Sequence, residues 1–367
     1  MPSRSSLPPT WEPDVIDARR CDGAFGFASE EDKAYAINTV ETVAWLAGRP
    51  DYFDELGEAG KDHDLFGSVG RARSSRVFEW LMAALSYQGI SDAVARSYMA
   101  AHEQPRWRKV ARGVKSSACP LLKSYWHFHG CGYRKTAKIC AKPNLMTTCP
   151  LPVHDFRNGN LNQLAYSLFL YIRDVADGDL VGWIDQRLAE AQLGPAEGRL
   201  GRMRQAIIEP LAGLHGASYK VLNMALSDLL LIGSCRNPLW AEVATELIAV
   251  DTLVHNFLVR TGILARAEAD HPYGPQCYGP AGCASVLSML SEAIDARQFN
   301  PAFPKIFPRY IQHAIWTYCA GEGASICNGN SIDDRARCQN RDCRLYAGCD
   351  RISLGRSLRK RRFLAAF

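Results

Sequence analysis

The 367-residue sequence has no long hydrophobic run. Its longest apolar stretch, Val221 to Ile232, is interrupted by Asn223, Ser227 and Asp228 and is too short to cross a bilayer. The N-terminal residues show no apolar core after Arg4, so neither a signal peptide nor a membrane anchor is expected. Period-two alternation is scarce, which predicts a mainly α fold with few strands. No internal repeat is visible. Strong charge of one sign is also missing: the net charge of +5 is compatible with nucleic acid without requiring it. Hydrophobic residues at 47% and charged residues at 22% are ordinary for a globular chain, and the length allows one large or two small domains.

Cysteine, by contrast, is plentiful. Thirteen of them, an odd number without an export signal, point to metal or reactive thiols rather than a disulfide frame. Cys327, Cys338, Cys343 and Cys349 are separated by ten, four and five residues, with Cys319 as a spare candidate. Zinc accepts four cysteines, but the close C-x2-C pairs typical of zinc sites are absent, although one C-x4-C is present. No C-x3-C-x2-C triplet occurs, which ranks radical or electron-transfer chemistry last. Cys119, Cys131, Cys140 and Cys149 have gaps of eleven, eight and eight, a spacing that matches no named motif. They are a second metal site (zinc or iron–sulfur, with His127 and His129 as substitute ligands) or ordinary free thiols.

Ser29 followed by Glu30, Glu31 and Asp32 predicts a helix start, and that helix stops near Gly48-Arg49-Pro50. Residues 51–75 read as loop. Helices are expected over 78–101, 161–175, 180–193, 201–208, 281–297 and 304–318. The chain is organised around the turn Leu214-His215-Gly216-Ala217-Ser218-Tyr219, which leads through Lys220 into the apolar run. Gly216 can take a positive φ, and the amides at the start of the following helix make a ready phosphate site. Asp251 lies between two apolar runs, where it also reads as a helix N-cap.

Leu214 to Val221 resembles the L-P-G-V-G-x-K-[TV] hairpin of the helix-hairpin-helix DNA glycosylases. Asp251-Thr252, Arg260 and Gly262 resemble the V-D-T-H-[IV]-x-R-x-x-x-R-x-G run carrying that family's essential aspartate. His215, Ser218, Leu253 and Asn256 depart from the pattern, and residues 233–240 read as an inserted loop. Leu85 to Asp92 is similar to the family's L-S-x-Q-x-[ST]-D turn, whose glutamine, here Gln88, enters the duplex. Cys327 to Cys349 resembles the family's C-x6-C-x2-C-x5-C loop, which binds a [4Fe–4S] cluster, with the first two gaps longer and the last identical.

The resemblance implies a two-lobed, helical HhH-GPD glycosylase fold with a C-terminal [4Fe–4S] loop and a cysteine-containing insertion. Its divisions would be an arm and helix in the cluster-side lobe (1–75), a helical core (76–101 and 159–262, hairpin about 211–222), an insertion (102–158), C-terminal helices with the cluster loop (263–350), and a basic tail (351–367). It implies a repair enzyme, acting as a monomer on double-stranded DNA with a lesion or mismatch, cytoplasmic and nucleoid-associated, in a bacterium. Lys220 would be the Schiff-base nucleophile and Asp251 the carboxylate. Gln88, Leu214, Gly216, Ser218 and Tyr219 would contact DNA, and Arg335, Arg337, Arg341 and Arg344 would reach its phosphates. The alternative is a non-catalytic iron–sulfur DNA-binding protein or lesion sensor.

Overall fold

The computed structural model describes residues 26–62, 65, 70–87, 92–134, 136–137, 139–140, 142, 149–151, 161–234, 236–329 and 331–355. Most of the N-terminal arm and the basic run Arg356 to Arg362 lie outside them. The described chain is mainly helical, with one short antiparallel hairpin, β1 (Tyr133–Arg134) with β2 (Ile139–Cys140).

Two helices that are apolar on nearly every side form the interior of a first group. In α7 (Asn162–Asp174), every residue from Asn162 to Ile172 is buried. In α10 (Tyr219–Ile232), Val221, Leu222, Ala225, Leu226, Leu229, Leu230 and Leu231 are buried. A helix hydrophobic all round must sit inside the protein, where each large aliphatic side chain contributes roughly 1.5–3 kcal/mol on burial. The three polar residues that interrupt this run each find a partner. Asn223 donates to the Tyr219 carbonyl (2.8 Å) and Ser227 to the Ala244 carbonyl (2.8 Å). Asp228 accepts from the Tyr52 hydroxyl (3.2 Å) and Arg309 (3.3 Å). Packed around α10 are α2 (Tyr52–Asp62), α3 (Gly70–Leu85), α9 (Arg199–Ala212) and α11 (Pro238–Thr245). Around α7 are α3, α5 (Trp107–Ser116) and α6 (Tyr125–Phe128), and α8 (Leu180–Ala191) packs on α9.

A second group gathers on α15 (Pro308–Cys319): α1 (Glu30–Ala47), α12 (Thr252–Arg260) and α14 (Cys283–Glu292), with α13 (Ile263–Arg266) against α1 and α12. It abuts the first group where α11 meets α15. The N-terminal helix belongs here. Tyr35 donates to the Thr261 carbonyl (2.7 Å), and Arg266 pairs with both Asp32 (2.5 Å) and Asp350 (2.9 Å).

Ser29 caps α1 by accepting from the Asp32 amide, and α1 ends before Gly48, both as expected. Within the loop expected over 51–75, Tyr52–Asp62 and the chain from Gly70 on are helical. Tyr52, only 4% exposed, anchors α2, and Phe53 stacks on Phe303 (5.0 Å) and Phe307 (5.5 Å), so aromatic burial outweighs the local glycine and aspartate content. The helix expected over 78–101 is two, α3 and α4 (Asp92–Ala101). The loop at 233–240 is shorter than expected because Asn237 caps α11 from Pro238. The helix expected over 281–297 stops at Glu292.

The segment expected as an insertion is built into the core. Trp107 packs on Phe78 (5.3 Å) and Phe169 (4.5 Å), Gln163 donates to the Cys131 carbonyl (3.0 Å), and Tyr166 to the Pro150 carbonyl (2.9 Å).

Candidate active site and metal centres

The hairpin between α9 and α10 forms as the glycine predicts: Gly216 has φ +76°, the left-handed region that other residues avoid. The turn is fixed from two sides. The His215 amide donates to Ser167 Oγ (3.2 Å), and His215 Nε2 lies 3.1 Å from the Phe128 carbonyl. Leu214 is placed in the core, 3% exposed, and its amide bonds to the Leu211 carbonyl (3.1 Å). The Ala217 amide bonds to Leu214 (3.1 Å). Those amides therefore shape the turn, and the positive end of α10 is the part of the hairpin suited to an anion. Its N-cap, Ser218, makes no side-chain capping bond to the first turn. Tyr219, in that turn, is 44% exposed. Gln88 lies outside the described residues.

Lys220 is half-buried in the first turn of α10, and Asp251 is half-buried as the N-cap of α12. The Asp251 carboxylate accepts from the Val254 amide (2.9 Å), the capping role the sequence suggests. A tyrosine joins the two helix starts. The Tyr278 ring lies 5.7 Å from that of Tyr219, next to Lys220. Its hydroxyl accepts from the Val250 amide (3.0 Å) and bonds to the Val250 carbonyl (3.3 Å), next to Asp251. Burial, and then the Asp251 charge, push the Tyr273 hydroxyl up. Two cavities of the described structure lie at the C-terminal cysteines and beside Cys119.

Cys327, Cys338, Cys343 and Cys349 line one small cavity at the end of α12. The surroundings suit thiolates. Arg260, 3% exposed, donates to Cys327 Sγ (3.2 Å) and pairs with Asp334. The Tyr318 hydroxyl lies 3.1 Å from Cys343 Sγ, and the Arg351 amide donates to Cys349 Sγ (3.4 Å). A hydrogen bond with Cys319, and then Arg260, bring the Cys327 thiol down to about 7, while burial pushes Cys349 up to about 11. These residues fit a thiolate-held polynuclear cluster, which needs its sulfurs spread around a space rather than converged on a point. Arg335, Arg337, Arg341 and Arg344 are all exposed on this loop.

Cys119, Cys131, Cys140 and Cys149 also come together, close enough for their charges to act on one another. Three of them repeat one local geometry, an amide two residues on donating to the sulfur: Tyr133 to Cys131, Lys142 to Cys140 (3.3 Å) and Leu151 to Cys149. Such bonds stabilise thiolates, as does the same arrangement at Cys349. Burial, the largest influence, pushes Cys131 and Cys149 up.

The sequence reading missed a third group: His255, His271, Cys277 and Cys283, whose donor atoms all lie within 4.8 Å of one another. Among the described residues, this is the group of histidine, cysteine and acidic donors close enough to share one metal ion. His255 is buried as part of this group. The available signal was weak, a C-x5-C pair with histidines six and twenty-two residues ahead of it.

No protein family, curated protein or solved structure matches the chain. No helix of the described residues is long and apolar enough to cross a membrane.

Proposed function

We propose that this chain is a DNA glycosylase that extrudes a damaged or mismatched base and cleaves its N-glycosidic bond, with lyase activity through Lys220. The observation that carries the reading is the joining of two helix starts through Tyr278. A left-handed glycine turn heads the helix bearing Lys220, and the aspartate N-cap of α12 lies one residue from the other contact of that tyrosine. An amine and a carboxylate beside a helix N-terminus supply the three elements that excision at a sugar needs: a nucleophile, a stabiliser of positive charge and a phosphate grip.

The target nucleotide leaves the stack while α10's positive end and Tyr219 hold the strand. As the C1′–N bond lengthens, its electron pair departs with the base, and the Asp251 carboxylate stabilises the charge growing on the sugar. The Lys220 amine attacks C1′, loses a proton, and ring opening gives an iminium. Loss of a proton from C2′ then expels the 3′ phosphate. Asp251 is held for this role by its Val254 hydrogen bond, which fixes the carboxylate without protonating it.

The cluster implied by the resemblance fits Cys327, Cys338, Cys343 and Cys349, and when bound it would supply rigidity to a loop with four exposed arginines. The amide-to-sulfur geometry favours metal at Cys119, Cys131, Cys140 and Cys149 over free thiols. The metal there would be zinc or a second iron–sulfur cluster.

Borohydride trapping on duplexes carrying a panel of lesions tests the reading. A covalent protein–DNA adduct that disappears in Lys220→Gln is expected. Binding without excision on every duplex would leave a lesion sensor instead, and a trapped adduct that survives Lys220→Gln would remove the lysine from the mechanism.

A further inference from the structure

We propose that His255, His271, Cys277 and Cys283 hold one zinc ion in a closed structural site that clamps residues 269–283 onto helix α12. Three of the six donor separations already match those of a zinc site. Bonds of about 2.0–2.3 Å at tetrahedral angles separate ligand atoms by roughly 3.3–3.8 Å. Here His255 Nδ1 lies 3.3 Å from Cys283 Sγ and 3.7 Å from Cys277 Sγ, and His271 Nε2 lies 3.3 Å from Cys283 Sγ. The site is dry: both cysteines are 0% exposed, His255 6% and His271 9%.

Three further observations point the same way. His271 Nδ1 lies 2.6 Å from the Ala269 carbonyl, so that nitrogen carries the proton and Nε2 offers its lone pair toward the sulfurs. A backbone carbonyl on the far nitrogen is the usual support for a metal-bound imidazole. Gly282 lets the start of α14 approach the 275–278 turn. A Cβ there would overlap the Gln276 carbonyl oxygen and stand 2.6 Å from the Cys277 carbonyl oxygen, so the backbone is pressed together to bring the two cysteines into range. Finally, two thiolates and two neutral imidazoles cancel the charge of a divalent ion, which makes the burial of all four groups affordable without another counter-ion.

Four protein ligands leave no position for water, so the ion's work is mechanical. It would tie α12 at His255, one turn after Asp251, to the segment bearing Tyr278. The proposal stands whether or not the chain excises bases.

Metal analysis and zinc-edge X-ray absorption on the full-length protein test it. The wild type is expected to carry one more zinc per chain than Cys277→Ser/Cys283→Ser, in a shell of two nitrogens and two sulfurs. Faster hydrogen exchange across 250–283 is expected in that variant. A Cys119→Ser/Cys131→Ser variant, which leaves these ligands intact, is expected to keep the ion and its mixed shell, so the test survives if the first variant does not fold. Zinc absent from the second variant, an all-sulfur shell there, or a Cys277–Cys283 disulfide in the non-reduced protein overturns the proposal.

Discussion

One nine-residue helix serves two quite different cysteine regions. Near its start, α12 offers His255 to a compact group of two histidines and two cysteines; at its end, Arg260 reaches Cys327 in the C-terminal loop. The first region converges four donors within 4.8 Å, with all of them nearly inaccessible to solvent. The second spreads four half-buried cysteines around a cavity, held by a guanidinium, a phenol and a backbone amide. Convergence is the geometry of a single ion, and a lined space is that of a polynuclear cluster. Asp251 sits at the head of the same helix as its N-cap.

The sharpest way to break this comparison is to remove each region's ligands separately. Cys283→Ser is expected to abolish one zinc per chain and leave iron unchanged, whereas Cys338→Ser is expected to abolish about four irons and leave that zinc in place. Elemental analysis of both proteins decides it, and loss of the same metal from each would merge the two regions. Next in size is the carboxylate. Asp251→Asn keeps a good cap and should lower single-turnover excision by roughly 10²–10³-fold with little change in melting temperature. Asp251→Ala should lose the activity and also about 1 kcal/mol of stability, measured by urea unfolding. Near wild-type excision by Asp251→Asn would reduce Asp251 to a cap.

Smaller effects sharpen the picture. Gly282→Ala should weaken zinc by about 10-fold, the scale of supporting-shell changes, read by competition with a chelator; iron content should not move. Gly216→Ala forces a Cβ into the left-handed region and should cost roughly 1–2 kcal/mol, with weaker DNA binding in a fluorescence titration. His313, packed between Tyr52 (4.9 Å) and Trp316 (5.8 Å), is held down to about 3, by burial first and then by Arg309 and Arg49. Because the unfolded histidine binds its proton near pH 6.5, this contribution is complete above that value and is lost as pH falls toward 3. A His313→Gln protein should show a flatter loss of stability across that window.

Much of the helical frame was legible because its signals are local. Ser29 with three acidic residues starts α1, Gly48 follows its end, Gly216 turns left-handed, and Asp251 caps α12. The aromatic anchors of α2 were not, since Tyr52 and Phe53 gain their energy from Phe303 and Phe307, some 250 residues away. Nor was the way Trp107, Cys131 and Pro150 reach Phe169, Gln163 and Tyr166 of α7. The C-terminal cysteines could be grouped from their closeness in sequence. His255 and His271 could not be joined to Cys277 and Cys283 in the same way.

The sequence by itself determined that the chain is mainly helical and where several of those helices begin, and its odd number of cysteines pointed to metal or reactive thiols rather than a disulfide frame. These follow from side-chain periodicity, capping chemistry and composition, which act over a few residues. Only the tertiary structure decided which donors converge. A buried imidazole pointing at two thiols depends on how α12, the 275–278 turn and α14 pack, and on a glycine small enough to let the last two touch.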